Sequence, residues 1–235
     1  MRVQRTAWTA VVVLALIGVA IVVRRTAQLV PILLNGYQPP AATANPPATP
    51  FAALDGIFAR YPVLTLIHII PGLLFITLAP LQFSATIRVR HRRWHRWSGR
   101  LVLVCGMVIG VSALVMSVAM PAIGGGLQAA ATFVFAVIFL FALVRAWRHI
   151  LRREIALHRE WMIRAFATGL AVATIRPIVG LFFATSRISG LTPEQFFGVA
   201  FWIGFILHVI AAEVWISWTR PKRATAQHLR GNRSV

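Results

Sequence analysis

Six apolar stretches of the sequence are each about long enough to cross a lipid bilayer as a helix. They cover residues 7–23, 61–83, 101–120, 128–147, 160–183 and 196–218. The hydrocarbon core of a bilayer is roughly 30 Å thick, and an α-helix needs about 20 apolar residues to span it. The sequence therefore predicts an all-α fold, a polytopic transmembrane bundle of about six membrane-spanning helices.

The basic residues are distributed unequally between the two predicted faces of the membrane. Of the 24 Lys and Arg residues, 19 lie on one face, in residues 2–5, 88–100, 145–164 and 220–235. Because cytoplasmic loops are rich in Lys and Arg, we expect both termini in the cytoplasm. Arg24 and Arg25 break this pattern, since they follow the first span on the cation-poor side, and they are the weakest point of the predicted topology.

The net charge of +19 would suggest nucleic-acid binding in a soluble protein. Its concentration in the loops of one face instead favours contact with anionic lipid headgroups, with no nucleic-acid partner. The single cysteine, Cys105, lies inside the third predicted span, so the chain has neither an intrachain disulfide nor a CxxC motif.

The chain divides into one membrane domain with three accessory segments. We expect a retained transmembrane anchor at residues 1–34, a proline-rich outer loop at 35–60, a five-helix core at 61–219 and a basic cytoplasmic tail at 220–235. Tyr37 and Tyr61 map to the outer boundary. Thr192, Pro193 and Gln195 predict a capped start for the last span, and Gly106 with Gly110 predicts close helix packing.

Polar side chains inside a bilayer are costly, so those within the spans are the candidate functional residues. A rise of 1.5 Å per residue places His68 roughly 9 Å, Arg176 roughly 13 Å and His208 roughly 18 Å below the outer face. Glu213 lies at about the depth of Arg164, which predicts an ion pair that is more plausibly structural than functional.

Two of these positions leave alternatives open. No acidic residue lies at the level of Arg176, so it either reaches the outer face or an internal hydrogen bond, or binds an anionic group of a cofactor or substrate. His68 precedes Pro71 and Gly72, which predict a kink and space for a flat ligand beside the imidazole. It is either a hydrogen-bonded packing residue or a ligand, in the second case paired with His208, with haem iron as the metal.

His95 and His158 begin the third and fifth spans on the basic face. One interpretation is a solvated basic loop in contact with lipid. The other is a second facing pair that serves as cofactor ligands or as a proton relay. The repeated string His-Arg-x-Trp at residues 91–94 and 158–161 is explained about as well by chance as by duplication.

Several separate motifs carry a family resemblance. They are His68, then Pro80-Leu81-Gln82-Phe83, then His95-Arg96-Trp97-Ser98-Gly99-Arg100, then His158-Arg159-Glu160-Trp161-Met162-Ile163-Arg164, and Thr174-Ile175-Arg176. In their order and spacing the chain resembles the bacterial membrane-protein family called domain of unknown function 2306, over about residues 64–218. The resemblance implies a bacterial inner-membrane location and marks as signature polar positions His68, Gln82, His95, Arg100, His158, Arg164 and Arg176.

A more distant analogy leads to cytochrome b561 and ferric-reductase-like bundles, in which paired histidines bind haem. It makes a redox bundle that binds b-type haem or a quinone the first functional hypothesis, with Arg176 facing a propionate or a quinone oxygen. A small proton-coupled transporter or permease is the alternative, and a non-catalytic assembly subunit is the third. A homodimer or a membrane redox partner is compatible with each, and the usual enzyme motifs are missing from the sequence.

Overall fold

The computed structural model describes residues 2–36 and 52–220 and forms eight helices within them. The helices are α1 (Arg2–Asn35), α2 (Ala52–Arg60), α3 (Pro62–Gln82), α4 (Ala85–Arg90), α5 (Arg92–Ala119), α6 (Gly125–Leu151), α7 (Ile155–Ser189) and α8 (Pro193–Thr219). All of these except α2 and α4 are long and apolar enough to cross a membrane. The predicted six-span helical bundle is therefore confirmed, and the orientation of its termini stays a prediction.

Helix α7 lies at the centre of the bundle. It packs against α6 and α8 along its length, and against α1 and α3. Phe75 of α3, Phe139 of α6 and Phe166 of α7 form the middle of the core, with the rings of Phe75 and Phe139 edge to face at 5.5 Å. Burial in a membrane brings little hydrophobic driving force, so such interlocking contacts supply much of the packing energy.

Small residues let the helices approach closely at the interface of α5 and α6. A Cβ atom built on Gly106 would lie 2.7 Å from Leu143 Cδ1, and one built on Gly110 would lie 2.4 Å from Leu140 Cδ2. Both distances are well below van der Waals contact, which is about 3.5–4.0 Å between carbon atoms. The predicted packing role of these two glycines is confirmed.

The start of α8 also agrees with the prediction. Pro193 is its first residue, and the Thr192 backbone N–H donates to Gln195 Oε1 at 2.9 Å. The preceding helix, α7, ends at Ser189, and the next residue is Gly190. The φ of Gly190 is 67°, the left-handed conformation that glycine adopts readily. These two devices turn the chain sharply between α7 and α8.

The structure differs from the predicted organisation around the first loop. Helix α1 extends past the apolar run of residues 7–23 to Asn35, close to the expected end of the anchor at residue 34. The difference is α2, which occupies part of the segment that was expected to be a proline-rich loop. The remainder of that segment, with Tyr37, and the tail beyond Arg220 lie outside the described residues. Helix α2 is short and contains Asp55, Gly56 and Arg60, so the sequence has no long apolar run there that would predict a helix.

Candidate functional site

A cavity of about 280 Å³ lies at the end of the bundle where α5 meets α6 and α7 meets α8. We call it the outer cavity. All six long helices and α2 contribute to its wall, which is formed mostly by aliphatic and phenylalanine side chains, with Phe75 and Phe139 at its deep end. The polar side chains in the wall are His68, Ser117, Gln128, Thr132, Thr168 and Arg176.

His68 reaches the outer cavity from α3. Its Nδ1 lies 2.9 Å from Ser112 Oγ, and the Ser112 hydroxyl donates to Val108 O at 2.7 Å. Because Ser112 has a single proton and gives it to the carbonyl, Nδ1 of His68 carries the proton that Ser112 Oγ accepts. The neutral imidazole therefore presents Nε2 as a hydrogen-bond acceptor. Gly72, one turn along α3, also lines the cavity.

Arg176 reaches the same cavity from α7. Its buried Nε has no hydrogen-bond partner among the described residues. The charged groups near it are Arg24, Arg25 and Asp55, so three guanidinium groups lie around this one carboxylate. An arginine with an unused donor beside an apolar cavity is suited to an acceptor oxygen of a ligand.

The single carboxylate is bound by the two arginines of α1. Arg24 Nη2 lies 3.0 Å and Arg25 Nη1 lies 2.6 Å from Asp55 Oδ1, and Gln28 Nε2 donates to Asp55 Oδ2 at 3.3 Å. Arg25 is buried, with its guanidinium 4.5 Å from the centre of the Phe58 ring. Partial burial raises the pKa of Asp55, but the hydrogen bonds and charges of the two arginines outweigh it and lower the pKa below its ordinary value.

This arrangement fixes α2 against α1 at the mouth of the cavity. Leu54, Ile57 and Phe58 of α2 belong to the cavity wall, so Asp55 holds three wall residues in place through its ion pairs. We refer to Arg24, Arg25 and Asp55 as the α1–α2 clamp.

His208 lies apart from the outer cavity. Its Nε2 is 2.7 Å from Thr174 Oγ1, a contact between α8 and α7. Among the described residues His68 is the one histidine in the cavity wall, and the Nε2 of His208 is occupied by Thr174. The residues present therefore do not fit a haem held between His68 and His208 in this cavity.

His95 and His158 are neighbours at the opposite, basic end of the bundle. His158 Nδ1 donates to Ala146 O at 2.9 Å, while the buried Nδ1 of His95 has no partner among the described residues. The described part of the chain holds no group of three or more His, Cys, Asp or Glu side chains that could bind a metal ion.

The ion pair between α7 and α8 is bidentate. Arg164 Nε lies 2.6 Å from Glu213 Oε1 and Arg164 Nη2 lies 2.9 Å from Glu213 Oε2, with the guanidinium 4.6 Å from the centre of the Trp161 ring. The pair joins the two helices near the basic end and takes no part in the cavity.

Comparison with known families decides the relationship of this chain. A family model described as "Predicted membrane protein (DUF2306)" matches residues 65–216, which is more than half of the sequence. The chain belongs to this family. Among curated proteins and among solved structures, no match was found.

The DUF2306 region contains the polar wall of the outer cavity but not the clamp. His68, Gln128 and Arg176 lie within the matched residues, whereas α1 and α2 precede them. The DUF2306 core therefore supplies most of the cavity wall, including the turn at residues 120–123, and α1 and α2 complete it.

Two further signature positions of the DUF2306 resemblance lie at the basic end. Gln82 Nε2 donates to Ser98 Oγ at 2.8 Å inside the bundle, and a Cβ on Gly99 would lie 3.2 Å from Gln82 Oε1. This contact ties the end of α3 to the start of α5. Arg100 lies 5.3 Å from the Trp97 ring centre. Gln82 joins two helices and Arg100 contacts a tryptophan ring, and both residues lie away from the cavity.

The sequence analysis missed Asp55, Ser112 and Gln128. A usable signal existed for Asp55, because it is the only acidic residue before Glu154 in the sequence. It is therefore the only acidic side chain in the first half of the chain that could form ion pairs with Arg24 and Arg25. Ser112 and Gln128 carry no such signal, since hydroxyl and amide side chains are common in membrane helices as packing residues.

Proposed function

We propose that this multi-pass membrane protein binds a quinone-type lipophilic molecule in the outer cavity. The observation that carries the proposal is the convergence of Arg176 and His68, from different helices, on one largely apolar cavity. A small number of polar groups in an otherwise apolar wall is the usual design of a site for a lipophilic ligand.

The two polar groups suit the two oxidation states of such a ligand. Arg176 offers donors to a quinone carbonyl oxygen, and the Nε2 acceptor of His68 suits the hydroxyl of a quinol. Phe75 and Phe139 supply a wall for the flat ring. The cavity volume of about 280 Å³ is near the lower limit for small-molecule sites, so it would hold the ring, with the isoprenoid tail in the bilayer.

The redox hypothesis considered b-type haem or a quinone as the ligand, and the cavity favours the quinone. We further infer that the membrane is the bacterial inner membrane and that both termini lie in the cytoplasm, since α-helical spans with one strongly basic face follow the positive-inside rule.

The test is direct quinone binding by the protein in lipid nanodiscs. Short-chain ubiquinone and menaquinone analogues are titrated while tryptophan fluorescence and equilibrium dialysis report the dissociation constant. Because a hydrogen bond from a charged group contributes about 1.5–3 kcal/mol, Arg176→Gln should raise the dissociation constant roughly 10- to 100-fold. His68→Gln should weaken quinol binding more than quinone binding.

Matched controls lie on the same helices or at similar depth. Arg187→Gln removes an exposed arginine of α7, and His208→Gln removes a histidine outside the cavity wall; both should bind within twofold of the unsubstituted protein. Undetectable binding to the unsubstituted protein would refute the proposal, as would equal binding by Arg176→Gln.

A further inference from the structure

A second cationic site lies at the opposite end of the bundle from the outer cavity. Arg88 of α4 and His158 of α7 are the charged neighbours of His95 on α5, and Arg88 is also a neighbour of Arg159 on α7. These four side chains, Arg88, His95, His158 and Arg159, are called the basic cluster below.

Among the described residues, no carboxylate forms an ion pair with the basic cluster. Asp55 and Glu194 belong to the other end of the bundle. At the basic end Glu154 contacts His149 and Glu213 pairs with Arg164, while Glu160, which is near Arg159, places both of its oxygens on Arg220. The cluster therefore keeps an excess of positive charge that an anion from outside the protein would balance.

Two helix N-termini add positive potential at the same place. His95 lies in the first turn of α5 and His158 in the first turn of α7, and neither first turn contains an acidic residue. The first N–H groups of a helix have no intrahelical partner and carry the positive end of its dipole, where cations are unfavourable and anions are stabilised.

The side chains of the cluster retain unused hydrogen-bonding capacity. Nδ1 of His95 is buried without a partner among the described residues. His158 donates from Nδ1 to Ala146 O, so the Nε2 of its neutral imidazole is an acceptor and the donors of the cluster come from the arginines. Arg159 uses one donor on Thr219 Oγ1 at 3.1 Å, out of five in a guanidinium.

The surroundings place the cluster at the boundary of the membrane. Trp94 and Trp97 are next to His95 in the sequence and are exposed, Trp97 by 70%. Tryptophan side chains prefer the level of the lipid headgroups. We propose that the basic cluster binds the phosphate of an anionic membrane lipid headgroup, held by the guanidinium groups of Arg88 and Arg159 beside the two helix N-termini.

Native mass spectrometry of the detergent-solubilised protein with added phosphatidylglycerol tests this proposal, because a micelle of neutral detergent lacks the surface charge of a bilayer. The unsubstituted protein should retain one phosphatidylglycerol more tightly than phosphatidylcholine. Arg88→Gln with Arg159→Gln should lower the affinity for that lipid at least about tenfold, which corresponds to the loss of one charge-assisted hydrogen bond.

The control variant carries Arg148→Gln and Arg152→Gln, which remove two exposed charges from the same end of the protein. It should retain the lipid within twofold, and Arg159→Lys should retain it within a few-fold, which separates lost binding from lost folding. Equal losses in the cluster and control variants would overturn the proposal, because general charge would then explain the binding. Full competition by millimolar inorganic phosphate, or no preference for phosphatidylglycerol, would overturn it too.

Discussion

The turn between α5 and α6 packs so closely on α8 that Gly124 has no room for a methyl group. A Cβ atom at this position would lie 2.4 Å from the backbone N of Gly198 and 3.0 Å from Phe197 Cβ. Since non-bonded contacts are about 3.5–4.0 Å, Gly124→Ala requires the two backbones to separate by about 1 Å. The φ of Gly124 is −82°, which alanine adopts without strain, so the effect is steric alone.

The size of the effect follows from this clash. Overpacking a close-packed site costs typically about 1–3 kcal/mol. For a chain of this length each kcal/mol changes Tm by about 2–4 °C, so Gly124→Ala should lower Tm by about 2–12 °C. Gly126→Ala is the matched control, because no atom lies within 4 Å of its Cβ position and alanine is the better helix former. Its Tm should be unchanged or slightly raised.

Thermal unfolding in detergent, followed by tryptophan fluorescence, measures both variants. The indole of Trp202 donates to Leu127 O at 3.1 Å beside this contact, so it reports the local geometry as well as global unfolding. If Gly124→Ala were as stable as Gly126→Ala, the two backbones would not be in contact. The positions of Ile123 and Gln128 in the cavity wall would then be wrong as well.

Three other changes test separate parts of the structure. Glu213→Gln should lower the free energy of unfolding by about 1–2 kcal/mol, because it removes the ion pair with Arg164. This value lies between those for surface and buried ion pairs, since the Glu213 side chain is 51% exposed. A double-mutant cycle with Arg164→Gln measures the coupling energy. Asp55→Asn should lower Tm by an amount that is constant at neutral pH and shrinks below about pH 4, near the ordinary pKa of an aspartate. Reporter fusions at Gly125 and His95 should lie on opposite faces, with His95 in the cytoplasm.

Each of these results has a clear contrary outcome. A coupling energy near zero in the cycle would show that the Arg164–Glu213 contact does not join α7 to α8. For Asp55, a lowered pKa means that the stability it contributes is present above its unfolded pKa and is lost as pH falls through the folded pKa. A Tm difference that is undiminished at pH 3 would contradict the clamp. Fusions on one face would contradict the six-span topology.

The number of spans could be predicted because apolar length is the dominant requirement of a bilayer. The ends of the helices could not, since hydrogen bonding continues beyond the apolar run. Helix α7 begins at Ile155 and ends at Ser189, several residues outside the predicted 160–183 at each end. Arginines at such ends extend their charged groups to the boundary, so they do not terminate the helix.

The spans that contain the polar residues could be predicted, but the direction of each residue around its helix could not. Successive residues of an α-helix are about 100° apart, so Thr174 and Arg176 point roughly 200° from each other on α7. Thr174 contacts His208 and Arg176 faces the outer cavity. His208 and Arg176 therefore lie on different sides of α7. Sequence spacing alone does not reveal this, because it does not show which helices pack against each side.

The clamp gives Arg24 and Arg25 a reason to lie on the cation-poor face. Their charge is fixed to Asp55, and the joint effect is to hold α2 over the cavity in which Arg176 lies. Because acidic residues contribute little to topology, we do not expect Asp55 to cancel the topological penalty of these two arginines. The predicted orientation requires that the strong bias of the remaining basic residues outweighs that penalty. What the two arginines contribute is local: together with Gln28 they occupy both acceptor oxygens of Asp55, so this carboxylate is not free to accept a hydrogen bond from Arg176. The unused donor of Arg176 is therefore available for the ligand oxygen that we propose.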